Sequence, residues 1–241
     1  MNFHDLIYGK DTFFCVFCSA HRHISELEFA YDGIGVCKNC QQSLKVYEPV
    51  PLNRETEFCK TVVAAVPYTR MVRSAFINYK FNNNPGYSKV FIHYMISFVE
   101  RLNNEFTEKF TDFFDLATAV PLSFIRYKKR GYNQAELLAK GVSEHFDIPT
   151  NFNAVRKTKN TRPQSKTFSS NKRKNVSGVY VANPDIVSGK NILLFDDMYT
   201  TGNTTNSCAS ALKAAGASNI SVMTFSSTAP VKRFDFYSYF R

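Results

Sequence analysis

Two adjacent carboxylates, Asp196 and Asp197, end the apolar run Asn-Ile-Leu-Leu-Phe and are followed at once by hydroxyls and a glycine. The whole segment, residues 189–216, reads GKNILLFDDMYTTGNTTNSCASALKAAG. Ionised carboxylates only accept hydrogen bonds, so they suit vicinal sugar hydroxyls and not an anion. The loop Tyr199, Thr200, Thr201, Gly202, Asn203, Thr204 has the opposite chemistry. Gly202 permits a positive φ and a close backbone approach. The helix expected after it offers free N–H groups and a favourable dipole to a phosphate. An acid pair beside a phosphate cradle describes a site for a ribose 5-phosphate. A nucleotide P-loop is disfavoured, because no Gly-Lys-Ser/Thr closes the loop. The plain alternative is a Ser/Thr/Gly turn without a ligand.

A second constellation lies near the start of the chain, where eighteen residues separate Cys15-x-x-Cys18 from Cys37-x-x-Cys40. Two residues between ligands let both sulfurs of a pair turn onto one ion, and two such pairs complete a closed tetrahedral zinc site. Paired disulfides are the alternative, disfavoured in a reducing compartment. A redox CxxC leaves the second pair unexplained. His21 and His23 lie between the pairs, as substitute ligands or as surface histidines. Cys59 and Cys208 fit no pattern, and Cys208 reads as a small buried hydrophobe inside a helix.

These groups need a scaffold. Residues 61–67 (TVVAAVP), 116–120 (LATAV), 191–195 (NILLF) and 220–225 (ISVMTF) read as buried strands. Helical spacing marks 71–81, 88–103, 134–146 and 204–215, the last closed by Gly216 at the C′ position. Strands apolar throughout and interleaved with helices predict a parallel sheet covered on both faces. The organisation that follows is a four-cysteine zinc module at 1–45, a linker at 46–60 with Pro49 and Pro51, and an α/β domain at 61–241. The sequence has no internal repeat and no coiled-coil heptads.

Bulk properties narrow the partners. The chain has 241 residues, 44% of them hydrophobic and 21% charged, and a net charge of +10. No apolar run approaches the ~18 residues of a membrane span, and the first residues lack the pattern of a secretory leader. The expectation is a cytoplasmic protein that attracts polyanions. No acid occurs between Ile148 and Pro184, where Arg156, Lys157, Lys159, Arg162, Lys166, Lys172, Arg173 and Lys174 all fall. Beside a phosphate site, that run is read as anion-binding in preference to a solvated loop.

The 189–216 segment resembles the PRPP signature of type I phosphoribosyltransferases. The resemblance implies that Asp196 and Asp197 hold the ribose hydroxyls, directly or through Mg²⁺, while Tyr199 through Thr204 wrap the 5-phosphate. Two further stretches sharpen it: AVPLSFIRYKKRGYNQAELLA (119–139), and Arg162-Pro-Gln164 followed by Arg173 and Asn175-Val-Ser-Gly178. With the four cysteines and Ile77–Phe81 (INYKF), the chain is similar to the ComF family from Cys15 to Phe225. By that similarity Val120–Gln134 is the pyrophosphate loop and 156–175 a cover loop, with Arg130, Lys166 and Arg173 as the anion-binding side chains. Pyrophosphate needs such Arg and Lys donors.

The family resemblance also implies a role in natural transformation, with single-stranded DNA as a partner and competence proteins such as a helicase nearby. The basic stretches fit phosphate neutralisation. Among 23 Phe and 13 Tyr some are candidates for base stacking. Other readings are an active Mg²⁺-dependent transferase, which displaces pyrophosphate from PRPP with a nitrogen nucleophile, and a PRPP-sensing regulator. No catalytic side chain and no base-recognition residue is evident in the sequence.

Overall fold

The computed structural model describes residues 11–45, 58–81, 84–105, 109–158 and 178–228. Its centre is a four-stranded sheet of β5 (Thr61–Pro67), β6 (Leu116–Ala119), β9 (Asn191–Tyr199) and β10 (Asn219–Ser227). The strands are parallel throughout and lie in the order β5-β10-β9-β6. A single parallel bridge from Thr150 to Ala117 extends the β6 edge. All four strands are buried on both faces, Thr118 of β6 and Ser221, Thr224 and Ser226 of β10 included.

Each face carries its own core. Helices α2 (Arg70–Phe81), α3 (Tyr87–Glu105) and α5 (Gln134–His145) cover one side. There Phe91 stacks on Phe225 with ring centroids 4.1 Å apart, and Tyr79 meets Phe91 edge-on. The other face is covered by α7 (Asn203–Ala214), α6 (Pro184–Val187) and the antiparallel pair β7 (Val155–Lys157) and β8 (Tyr180–Ala182). Cys208, Leu212 and Val155 pack there, and Cys208 is fully buried as expected.

The N-terminal residues form a second sheet, β2-β1-β4-β3, from β1 (Thr12–Cys15), β2 (His21–His23), β3 (Leu27–Tyr31) and β4 (Ile34–Cys37). Helix α1 (Lys38–Lys45) follows. This module shares a continuous core with the larger sheet. Phe17 packs edge-on against Tyr94 of α3, Phe29 lies 4.0 Å from His93, and the Tyr31 hydroxyl is 3.0 Å from His93 Nδ1. Lys89 pairs with Asp32, and Tyr94 donates to Gln41.

Several elements differ from the sequence expectation, with β7, β8 and α6 among those it does not foresee. Residues 124–130, inside the expected pyrophosphate loop, form helix α4 (Phe124–Arg130), stopped by Gly131 at φ +76°. Strand β9 continues through the acids to Tyr199 because β10 pairs with it up to Ser227–Tyr199. Helix α1 carries chain up to the start of the expected linker. Lys166, Arg173 and most of the expected cover loop lie outside the described residues. Among the described residues no helix is long and apolar enough to cross a membrane.

Candidate functional site

The acids are delivered by β9 at the carboxyl edge of the sheet, where open α/β sheets collect their ligands. Along the strand Leu193 and Phe195 join the core under α3 and α5, while Ile192 and Leu194 join the core under α7. Beyond the acids the order reverses: Met198 packs with the first core and Tyr199 with the second. This slip in the two-residue alternation falls at the acid pair, and both Asp196 and Asp197 line one cavity of about 410 Å³.

The loop after the strand turns on Gly202 at φ +77°, directly before α7. A Cβ there would lie 2.4 Å from the Tyr199 hydroxyl, so the turn closes over that tyrosine only with glycine. Thr205 Oγ1 and the Asn206 N–H both bond the Gly202 carbonyl, fixing the first turn of the helix. Thr200, Thr201, Asn203 and Thr204 line the cavity beside the acids. Tyr199 does not: it is buried beneath the loop and supports the turn from below.

Four cations face the acids across the cavity: Lys80, Arg126, Arg130 and Lys157. Lys80, from α2, donates to Asp197 Oδ1 at 2.8 Å, with both side chains largely buried. Arg130 donates to Gln134 Oε1 at 3.0 Å, and the Gln134 backbone carbonyl accepts from Tyr79 at 3.0 Å. Asn133 caps α5 through the Ala135 N–H and donates to the Val120 carbonyl, tying the helix start to the end of β6. Lys157 reaches the Tyr180 hydroxyl at 3.4 Å.

The electrostatics set a buried acid pair against a cluster of cations. Burial, and then the charge of Asp197, push the Asp196 carboxyl up to about 7. Lys80, the Asp197 N–H and Lys157 oppose that rise. Burial and then the charge of Arg126 push the Lys157 ammonium down. Burial likewise pushes Arg130 down, against the pull of Asp197. Like charges held together in a half-buried cavity are stabilised by a ligand of the opposite sign.

Arg130, expected as an anion-binding side chain, lines the cavity with the acids, and so does Lys157 from the basic run, whereas Lys80 and Arg126 are cavity cations that are not candidates in the sequence. Each lies in a segment already marked: Lys80 in the INYKF stretch, Arg126 in the 119–139 stretch, and Lys157 near the head of the acid-free run.

The cysteines converge as their spacing requires. Cys15 closes β1, Cys18 sits in the turn after it, Cys37 closes β4 and Cys40 is in the first turn of α1. Their four sulfurs lie within 4.8 Å of one another. The Cys18–Cys37 separation of 3.9 Å is close to the ~3.8 Å edge of a tetrahedron with zinc–sulfur bonds of about 2.3 Å. It is far beyond the roughly 2 Å of a disulfide, and none of the six cysteines is disulfide-bonded. The cluster can hold a metal such as zinc. His21 and His23 are not part of it; His23 instead caps the short helical turn at Ile24–Glu26.

Residues 98–240 match the family described as phosphoribosyl transferase domain. The chain is similar to Competence protein F of Haemophilus influenzae, 24% identical over 229 residues that cover 88% of this chain and 95% of that one. It is similar to Competence protein ComFC of Streptococcus pneumoniae, 27% identical over 202 residues, 81% of this chain and 83% of that one. Over 108 residues it is 29% identical to DNA utilization protein YhgH of Escherichia coli O157:H7, covering 45% of this chain and 47% of that one. With its parallel sheet, helices on both faces and four-cysteine head, the chain belongs to the phosphoribosyl transferase domain family, in its ComF branch.

Proposed function

We propose that the cavity binds PRPP with Mg²⁺, and that the protein acts in the cytoplasm in handling incoming single-stranded DNA during natural transformation. The observation that carries the first half is the juxtaposition in one cavity of an acid pair, a Gly202-centred hydroxyl loop at a helix start, and four cations. The acids accept from ribose hydroxyls, the Thr200–Thr204 loop cradles the 5-phosphate, and Arg126, Arg130, Lys157 and Lys80 face the diphosphate. Asp196 and Asp197 fit Mg²⁺, which favours one or two carboxylates plus substrate phosphates, and the raised Asp196 carboxyl is relieved by added positive charge. When bound, the ion neutralises the diphosphate. Zinc in the four-cysteine cluster is structural, since four thiolates leave no open position.

Support for the second half comes from the relatives, named for competence and for DNA utilization, and from the net charge of +10. A competence helicase is the natural protein partner under this reading. A second reading, transfer of ribose 5-phosphate to a nitrogen acceptor, is favoured by the cavity volume of about 410 Å³, within the range of small-molecule sites. In that case the residues act by positioning and electrostatics, with no protein nucleophile.

Calorimetric titration of PRPP with Mg²⁺ into the zinc-loaded protein tests the site. Binding is expected, weakened at least about tenfold by Asp197→Asn, as for loss of a hydrogen bond to a charged group. No heat, or equal affinity in the variant, would overturn the assignment. Titration of labelled oligothymidylate tests the DNA half, where affinity must fall steeply with added salt.

A further inference from the structure

Helix α4 is the most exposed apolar element among the described residues. Phe124 is 69% exposed, Ile125 62% and Tyr127 47%, in a helix of only seven residues. The same helix carries Arg126, Lys128, Lys129 and Arg130, and no acid occurs between Asp115 and Glu136. Arg126 and Arg130, one turn apart, face inward and line the cavity, while Lys128 and Lys129 are exposed. Outward-facing Phe and Ile are left uncovered on a helix that a globular chain gains nothing by exposing.

We propose that α4 is a docking strip for single-stranded nucleic acid, with Phe124 and Tyr127 stacking on bases and Lys128 and Lys129 meeting the phosphates. The proposal deepens the DNA-handling reading and rests on it. Phe124 shares one helical line with Lys128, and Ile125 shares the next with Lys129. Lys128 Nζ lies over one face of the Phe124 ring, 4.8 Å from its centre, so a cation is held against the ring while the side chain stays 69% exposed for stacking on its other face. Apolar and cationic groups are therefore interleaved, as alternating bases and phosphates require. A helix lying on a membrane instead separates them onto two faces.

Anisotropy titration of a labelled oligothymidylate into the full zinc-loaded chain tests this. Phe124→Ala/Tyr127→Ala is expected to weaken binding about 5- to 100-fold per stacked ring while leaving the salt dependence unchanged. Lys128→Gln/Lys129→Gln is expected to lower the slope of log affinity against log salt by about 0.7 for each phosphate no longer neutralised. Neither pair lines the cavity, and far-UV circular dichroism and urea unfolding at wild-type values report that both variants are folded. If the wild type binds DNA and the aromatic variant binds it equally well, the strip is refuted and the DNA reading stands. If the wild type does not bind the oligonucleotide, the DNA reading falls and takes the strip with it. If the aromatic variant keeps DNA binding but loses binding to phosphatidylglycerol vesicles, the strip serves a membrane surface and the proposal is overturned.

Discussion

Asp196 works against the stability of the unliganded fold, and the amount follows from its surroundings. Its folded carboxyl is pushed up to about 7 from 3.8, first by burial and then by Asp197. That gap corresponds to about 4 kcal/mol against the ionised form, an upper bound because the residue opens partly onto the cavity. The sign is set by proton counts. Between about pH 4 and pH 7 the folded chain keeps a proton that the unfolded chain has released, so stability declines as pH rises through that window and levels off above it. Asp196→Asn mimics the protonated state at every pH. In urea unfolding without PRPP or Mg²⁺, the variant should lead the wild type by about 2 kcal/mol near pH 5.5 and by about 4 kcal/mol near pH 8. The growth of about 2 kcal/mol corresponds to roughly 4–8 °C in Tm for a chain of this size. A variant less stable than wild type at pH 8, or a lead that does not grow with pH, would refute the placement of this carboxyl. The same variant must bind PRPP–Mg²⁺ poorly, since a stability gain at a ligand site comes at the expense of function.

Two further outcomes follow from the site's construction. Gly202→Ala places a methyl 2.4 Å from the buried Tyr199 hydroxyl at a backbone φ of +77°; it should lower stability by at least about 1–2 kcal/mol and weaken PRPP–Mg²⁺ binding, read by urea unfolding and calorimetry. The four-cysteine cluster should carry about one zinc per chain by metal analysis. Cys37→Ser should lose the ion and lower Tm, because Phe17 and Phe29 of the module pack on Tyr94 and His93 of α3; a metal-free wild type would end the zinc assignment.

The features legible in the sequence are those the chain writes locally. The acid pair, Gly202 and the helix after it are consecutive in sequence and remain consecutive in the site, and each pair of cysteines is spaced for one ion. Gly216 takes φ +95° just past the end of α7, as a helix-stop glycine should. Tyr199 groups with the phosphate loop in sequence because Asp196 and Asp197 look like the end of a strand. Its burial depends on β10, whose register keeps β9 extended two residues past the acids. Helix α4 leaves no periodic signal, since its apolar residues face solvent and its inward face is two arginines. Lys80 is the hardest to place. It lies 117 residues before Asp197, and nothing in the spacing of either segment refers to the other. The two meet because α2 packs on the face of the sheet toward which Asp197 points, while Lys157 arrives from the opposite face, toward Asp196. A parallel sheet gathers the carboxyl ends of all its strands at one edge, so helices and hairpins on either face can reach over that edge to a common ligand. The cation set is therefore a consequence of topology, whereas the acids and the loop are a consequence of sequence, and substitutions should separate them: those in the loop act on the turn's own geometry, those at Lys80 or Lys157 on the balance of charge across the cavity.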